Sequence, residues 1–339
     1  MKRKIFKLIL GNLIVFLSIL LIIELTLRIR GHKTYPGNPP DIVVKPDGKY
    51  FQKDSLLGYK HRTGKFQVTL KGEYDFITQH DSATHRLTGS AAESGISPKP
   101  EIWVFGCSFT HGWSINDAET FPWKLQANLS DFKVINWGVT GYGTIHFYLQ
   151  LRQALMKRDK PGMVIINHAD FHHDRNVLSF QKKRSSLRWN FPENLSQPYC
   201  IIDENGELNI LYSNIESKSW KLSEHSALAN YCEVKYKSYL DRKNQGKRKA
   251  ITEQLLDEII SLCKENDVKI ILSNINGNSE FLHKISLTHK VPFIDISVDL
   301  TENGYSNYPY DGHPSSKSNS IYADRIISFL RDSIISDNR

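Results

Sequence analysis

The sequence predicts an α/β protein in which helices cover both faces of a parallel sheet, in three layers, behind an N-terminal membrane-spanning helix. Two observations lead to this prediction. From residue 100 onward, short apolar runs alternate with helical patterns, of which residues 250–266 are the clearest, and this alternation is typical of parallel sheets. A long apolar run also follows a basic N-terminus. The 339 residues, 40% of them hydrophobic, suffice for one core of roughly 200–250 residues plus appendages.

Residues 1–30 are predicted to form an uncleaved signal anchor. The apolar run over residues 8–23 reaches about 20 residues with its flanks, which is enough to cross a bilayer. No small-x-small site ends the run, as a cleaved signal peptide would require, and the basic start disfavours a buried soluble helix. Four basic residues in 1–7 slightly outnumber three in 28–33. The positive-inside rule then places the body on the periplasmic or extracellular side of the cytoplasmic membrane.

Residues 31–97 are predicted to be a linker followed by a small β region. Proline and glycine are frequent in 31–50, weak alternation in 51–80 indicates strands, and 88–99 is predicted to be a loop.

The main domain is predicted over residues 98–336. Strands are predicted at 101–106, 132–137, 162–168, 268–274 and 291–296, and helices at 117–130, 144–158, 250–266, 277–289 and 318–335. Residues 177–245 break this rhythm and are predicted to be an insertion that shapes substrate access. Cys200 and Cys232 either pair there or are small buried residues. In such sheets the functional site lies at the carboxyl ends of the strands.

A candidate nucleophile follows the first core strand, in Gly106-Cys-Ser108-Phe-Thr-His-Gly112. A tight strand-to-helix turn exposes a serine hydroxyl, and the helix start favours negative charge nearby. The alternative is that Ser108 only caps the helix.

A candidate base lies near the C-terminus, in Asp311-Gly-His313-Pro314. We expect His313 to take the serine proton and Asp311 to orient the imidazole, in the chain order Ser, Asp, His. The alternative is a plain Asp-Gly turn with a histidine before a proline.

Three segments resemble blocks of the SGNH (GDSL) hydrolase superfamily, in its membrane-anchored bacterial envelope branch. They are Gly106–Gly112, Asn136-Trp-Gly138-Val-Thr-Gly141-Tyr-Gly143, and Asp311–Pro314. The resemblance covers about residues 100–335 and implies a flavodoxin-like sheet, the SGNH hydrolase fold, with a serine esterase or O-acyltransferase activity. The chain departs from the family where Cys107 replaces an acidic residue and where Asp311 precedes His313 by two residues rather than three.

The resemblance also implies an oxyanion hole. The backbone N–H groups of Ser108 and Gly138 are the expected donors, unless Gly138 is only part of a loop. The family's third donor is an asparagine side chain, for which the candidates here are His172 and Asn167.

A histidine-rich stretch follows the third predicted core strand. His168, His172 and His173, with Asp170 and Asp174, admit a zinc interpretation. We expect a surface cluster instead, with no metal and no cofactor, because serine chemistry needs neither.

The predicted function is hydrolysis of an acyl ester, with acetyl the expected group, on an envelope or extracellular glycan or a small ester. One alternative is a polysaccharide O-acetyltransferase, which could require a membrane acyl-donor partner. Others are a catalytically weak scaffold in a glycan export or assembly complex, and a cytosolic lipase facing the inner leaflet. The net charge of +8 suits anionic lipid or an acidic polymer. Nucleic acid is not expected, since no recognisable module for it is present.

Overall fold

A computed structural model gives the structure of the chain. It describes residues 2–35, 41–89, 99–157, 160–186, 191–192, 195–214, 219–243 and 245–332. Parts of the predicted linker, of the 88–99 loop and of the insertion lie outside these residues.

The chain begins with helix α1 (Lys2–Ile29), which is a candidate membrane span. Its segment Arg3–Ile29 is long and apolar enough to cross a bilayer, and its most apolar stretch is not buried in the protein. A membrane anchor and a signal sequence share these properties.

Five short strands follow, of which four lie where alternation predicts a β region and the first lies within the predicted linker. They are β1 (Ile42–Lys45), β2 (Phe51–Asp54), β3 (Gly58–His61), β4 (Gly64–Leu70) and β5 (Tyr74–His80). Strands β1, β4 and β5 form an antiparallel sheet, and β2 pairs with β3. The inner face of β4, with Phe66, Val68 and Leu70, belongs to the same buried cluster as Trp113 of the main domain. The β region therefore packs on the domain that carries Ser108.

The main domain contains seven strands and nine α-helices within the described residues. They are β6 (Glu101–Phe105), α2 (Ser108–His111), α3 (Phe121–Asn128), β7 (Lys133–Asn136), α4 (Thr144–Lys157), β8 (Met163–Ala169), α5 (His172–Asn176), α6 (Phe180–Ser186), β9 (Ser196–Ile202), β10 (Leu208–Asn214), α7 (Ala227–Lys243), α8 (Gln245–Glu265), β11 (Lys269–Asn276), α9 (Glu280–His289), β12 (Phe293–Asp295) and α10 (Ser316–Leu330).

Five of these strands form the central sheet, in the order β7-β6-β8-β11-β12 with all neighbours parallel. Numbered along the chain this order is 2-1-3-4-5, the flavodoxin-like arrangement. Side chains of β6 alternate between the faces: Trp103 packs in the cluster with α4, α8 and α9, and Val104 in the cluster with α3 and α10. The predicted three-layer fold is confirmed.

The predicted helix 117–130 is divided in two. A 3₁₀ turn covers Asp117–Glu119, and α3 then begins at Phe121, with Thr120 as its cap. Pro122 suits the first turn of α3, where a missing backbone N–H costs no hydrogen bond. The sequence pattern merges these two elements because only one residue, Thr120, separates them.

The insertion contains α6, the hairpin β9–β10 and α7. Cys200 is buried in the hairpin, Cys232 is exposed on α7, and both are free thiols. The two are not paired in this structure.

Helix α1 is attached to the body near its C-terminal end. The Glu24 carboxylate accepts hydrogen bonds from the backbone N–H groups of Ala227 (2.9 Å) and Leu228 (2.7 Å) and from the Ser226 hydroxyl (2.8 Å). These groups form the start of α7, where orphan N–H groups and the helix dipole favour a carboxylate. The insertion is therefore held against the end of the candidate anchor.

Arg86 fixes the segment that follows the candidate nucleophile. Its side chain is buried, and its Nε donates to Asp117 Oδ1 at 2.7 Å. The other guanidinium nitrogens donate to four backbone carbonyls, those of Ile77, His111, Gly112 and Ile115. One arginine thus joins β5 to the turn after α2.

We expect Arg86→Met to lower the free energy of unfolding by about 3–5 kcal/mol, because the change leaves Asp117 and four carbonyls without their buried partner. Chemical denaturation of the full chain in detergent micelles measures this loss. Arg152→Met, which removes an exposed arginine of α4, is the control and should change stability by less than about 0.5 kcal/mol. Equal effects of the two changes would contradict this role of Arg86.

Candidate active site

Ser108 lies at the carboxyl end of β6, at the first residue of α2. The turn requires glycine at two places. A Cβ on Gly106 would lie 1.9 Å from Thr110 Oγ1, and a Cβ on Gly138 would lie 2.5 Å from the His111 nitrogen. Both glycines therefore allow the backbone of α2 to approach the ends of β6 and β7 closely.

His313 is in hydrogen-bond contact with the candidate nucleophile, with its Nε2 2.9 Å from Ser108 Oγ. It comes from the loop before α10, far away in sequence. The Ser108 residue is only 2% exposed, whereas the His313 side chain is 22% exposed. Solvent or a substrate therefore approaches the pair from the side of the imidazole.

Asp311 contacts the opposite side of the same imidazole. Its Oδ1 accepts from the His313 backbone N–H at 2.7 Å and forms a short hydrogen bond with His313 Nδ1. Burial alone would raise the pKa of Asp311, but the His313 ring and hydrogen bonds from His313 and Trp113 hold that pKa below its usual value. Asp311 is therefore ionised, Nδ1 is the donor, and Nε2 presents a lone pair to Ser108.

Trp113 also holds Asp311 in place. Its Nε1–H donates to Asp311 Oδ2 at 2.9 Å. The sequence analysis did not single out Trp113, because a tryptophan near a turn is ordinarily assigned to the core. Its position directly after Gly112 is a weak signal that could have indicated a role beside the nucleophile.

Three of the four expected oxyanion donors make hydrogen bonds elsewhere in the structure, and the Ser108 N–H is the fourth. The Gly138 N–H donates to Asn136 Oδ1 (2.9 Å), Asn167 Nδ2 donates to the Phe105 carbonyl (2.9 Å), and His172 Nδ1 accepts from the Ala169 N–H (3.2 Å). Their roles in catalysis stay predictions.

The histidines of 168–173 are not a surface cluster, and that prediction is wrong. His168, His172 and His173 are all buried, because the end of β8 and helix α5 pack beneath α8. Asp174 forms a salt bridge with Arg248 of that helix. The polar composition of the stretch suggested exposure, whereas its side chains have buried partners on α8.

A second group of histidines joins the β region to α2. His61, His80 and His111 are buried, and His80 Nε2 lies 3.0 Å from His111 Nε2. Burial lowers the pKa of all three, that of His80 to about 3, so their rings are neutral. The sequence analysis missed this group, since its members come from three separate elements.

No protein-family model and no curated protein sequence matches this chain. Esterases of the SGNH and G-D-S-L families are among the similar solved structures. TesA is 11% identical over 68% of this chain and 98% of its own, with a TM-score of 0.42. The psychrotrophic esterase EstA from Pseudoalteromonas sp. is 12% identical over 69% and 97%, with a TM-score of 0.40. AlinE4, an SGNH-hydrolase family esterase, is 12% identical over 72% and 100%, with a TM-score of 0.37. Because these TM-scores lie below 0.5, function is inferred from the site itself.

Proposed function

We propose that this protein is a serine esterase that hydrolyses acyl esters through an acyl-enzyme at Ser108. The observation that carries the proposal is the continuous series of contacts from Ser108 Oγ to His313 Nε2 and from His313 Nδ1 to Asp311. A nucleophile, a base and a group that orients the base are the minimum for this chemistry.

In the proposed reaction, His313 Nε2 takes the Ser108 proton as Oγ attacks the ester carbonyl. The tetrahedral intermediate collapses when His313 returns that proton to the leaving alcohol, which gives acyl-Ser108. Water then attacks with His313 as base, and His313 passes that proton to Ser108 Oγ as the acyl–oxygen bond breaks and the carboxylic acid leaves. The Ser108 N–H is the proposed oxyanion donor, and the Gly138 N–H joins it only by leaving Asn136.

A small acyl group and a sugar substrate fit the surroundings of the triad. The ring centroids of Phe109 and Trp113 lie 5.5 and 6.5 Å from that of His313, so large apolar side chains surround the base. Tyr308, in the same loop as Asp311, is 82% exposed, and its flat apolar ring offers a platform for a sugar. We therefore propose acetyl as the acyl group and an envelope or extracellular glycan as its carrier.

We also propose that α1 anchors the enzyme in the cytoplasmic membrane with the triad on the outer side. The charge bias of the N-terminus supports this orientation. Trp220 and Leu222 are exposed next to the α7 start that Glu24 holds, and such side chains suit the membrane–water interface. The body then lies close to the bilayer surface.

Labelling with a fluorophosphonate tests the activated serine. We expect the full chain in detergent micelles to gain one adduct by intact mass, and Ser108→Ala to gain none, because phosphonylation requires an alkoxide-like nucleophile. Ser114→Ala, at a nearby buried serine, is the control and should label fully.

Absence of an adduct on folded wild-type protein would contradict the proposal and favour the scaffold alternative. Incubation with an acetylated oligosaccharide then tests the substrate class by release of acetate. Formation of an acetylated acceptor sugar in place of acetate would assign the acetyltransferase activity instead.

A further inference from the structure

Three side chains at the carboxyl end of β8 form a compact group that the proposed esterase reaction does not use. They are His168, the last but one residue of β8, Asp170 in the following turn, and His173 in α5. One ligand atom from each lies within 4.8 Å of the others. We propose that His168, Asp170 and His173 bind a divalent transition-metal ion of the zinc type, a site that the sequence analysis did not adopt.

The protonation of His173 is fixed by its neighbours. The Thr252 hydroxyl donates its single proton to the Arg248 carbonyl (3.0 Å) and accepts from Asn176 Nδ2 (2.8 Å). The tautomer consistent with both of these bonds has His173 Nδ1, 2.8 Å from the same hydroxyl oxygen, as the donor. Its Nε2 then carries a lone pair, which is buried and has no hydrogen-bond partner within the described residues. A hydrogen bond from the other ring nitrogen to a fixed acceptor is the usual outer support of a metal-ligating histidine.

His168 supplies the second imidazole of the proposed metal site. It is buried, and neither of its ring nitrogens has a hydrogen-bond partner in the described part of the chain. Burial lowers the pKa of both His168 and His173, the latter to about 4. Both rings are therefore neutral, as metal ligands must be. Leaving such polar atoms buried without partners costs free energy, and a bound cation would remove part of that cost.

Asp170 supplies the negative charge. Its Oδ2 accepts from the Asn278 N–H at 3.0 Å, and a Cβ on Gly277 would lie 2.4 Å from its carboxyl carbon. Gly277 also has a φ of +95°, a conformation that favours glycine. The loop after β11 is therefore shaped to hold this carboxylate. Asp170 is only half-buried, so an ion and its water can reach the site from solvent.

Two imidazoles, one carboxylate and an open position suit Zn²⁺. Ligand atoms about 2.0–2.2 Å from the ion lie roughly 3.3 Å apart in a tetrahedron, so binding requires the group to contract by no more than about 1.5 Å. The group of His61, His80 and His111 fits less well. It has no carboxylate, it lies beside Arg86, and the rings of His61 and His80 stack in parallel, 4.5 Å apart with planes at 3°.

The proposed ion would fix the loop that borders the triad. Phe171 lies between Asp170 and His173, and its ring packs 5.4 Å from that of Phe109, which in turn contacts His313. The ion is therefore placed in a structural role, one loop away from the reacting atoms. Its test does not depend on esterase activity.

The test is zinc binding by the tag-free full chain in detergent micelles. After treatment with EDTA and reloading with ZnCl₂, we expect about one zinc per chain by elemental mass spectrometry, and a higher melting temperature than that of the metal-free protein. CoCl₂ should give visible absorption bands of a nitrogen- and oxygen-ligated ion. Asp170→Asn keeps the size of this half-buried side chain and should weaken zinc binding at least tenfold.

Two further variants separate the alternatives. Asp174→Asn changes a neighbouring carboxylate that pairs with Arg248 and should keep the zinc, whereas His173→Gln should lose it. His61→Gln alters the other histidine group and should also keep it. Folded wild-type protein without zinc would overturn the proposal. If Asp170→Asn kept its zinc and His61→Gln lost it, the proposal would be overturned in favour of a site at His61, His80 and His111.

Discussion

Replacing Ser108 with alanine is expected to lower kcat/KM for hydrolysis of an acetyl ester by about 10⁴-fold or more. The change removes the attacking oxygen and leaves His313 and Asp311 with nothing to activate. The fold should hold, because within the described residues the serine hydroxyl makes one hydrogen bond, to His313 Nε2, worth about 1 kcal/mol. Initial rates with p-nitrophenyl acetate, at several substrate concentrations, measure the loss.

The control for this experiment is Ser114→Ala, since Ser114 is buried close by and its hydroxyl contacts Asn307 rather than Ser108, Asp311 or His313. It should keep kcat/KM within a few-fold of the wild-type value. Circular dichroism and the melting temperature of Ser108→Ala verify that the fold is intact. If Ser108→Ala kept more than a tenth of the wild-type rate, acyl transfer to Ser108 would be ruled out as the route of hydrolysis.

The central sheet could be predicted from sequence because its inner strands, β6, β8 and β11, are buried on both faces. All seven residues of β8 are buried, and such continuous apolar runs stand out from the helices between them. The motif serine and histidine could be found for a related reason: their neighbours are glycine, proline and aspartate, which mark turns at the ends of these elements. Each signal lies within a few consecutive residues.

The residues that hold the site in place could not be predicted in this way. Trp113 and Asp311 are 198 positions apart in the chain. Arg86 donates to one carbonyl of β5 and to three at and after the end of α2. No local sequence pattern identifies such pairs. In the sequence, an isolated polar residue that is buried beside the site looks the same as one in a solvated loop. The histidines of 168–173 show the same difficulty, because Thr252 and Arg248, which bury and fix them, come from α8.

Asp311→Asn is expected to lower kcat by about 10²–10⁴-fold with little change in KM. In the wild type, the ionised carboxylate forces the proton onto His313 Nδ1 and leaves the Nε2 lone pair facing Ser108. An asparagine can instead present its NH₂ group to Nδ1, which moves the ring proton to Nε2. The histidine would then be unable to accept the Ser108 proton, although every heavy atom stays in place. Steady-state rates with p-nitrophenyl acetate measure the change.

Trp113→Phe is the matched control, since it removes one hydrogen bond to Asp311 and keeps the charge. It should lower kcat far less than Asp311→Asn does, and equal losses would show that packing, not the carboxylate, governs the rate.

Stability at low pH provides an independent check. The folded-state pKa of Asp311 lies below its unfolded value of about 3.9. Ionised Asp311 therefore stabilises the fold above that unfolded value, and this contribution is lost as the pH falls through the folded value. In Asp311→Asn this part of the acid dependence of unfolding should disappear. A variant that loses activity but keeps the acid dependence would show that the carboxylate titrating in the wild type is not Asp311.

The short Asp-x-His spacing is compatible with a working triad because one carboxylate oxygen accepts from both the backbone and the ring of His313. The turn that brings Asp311 and His313 together therefore also sets the tautomer of His313.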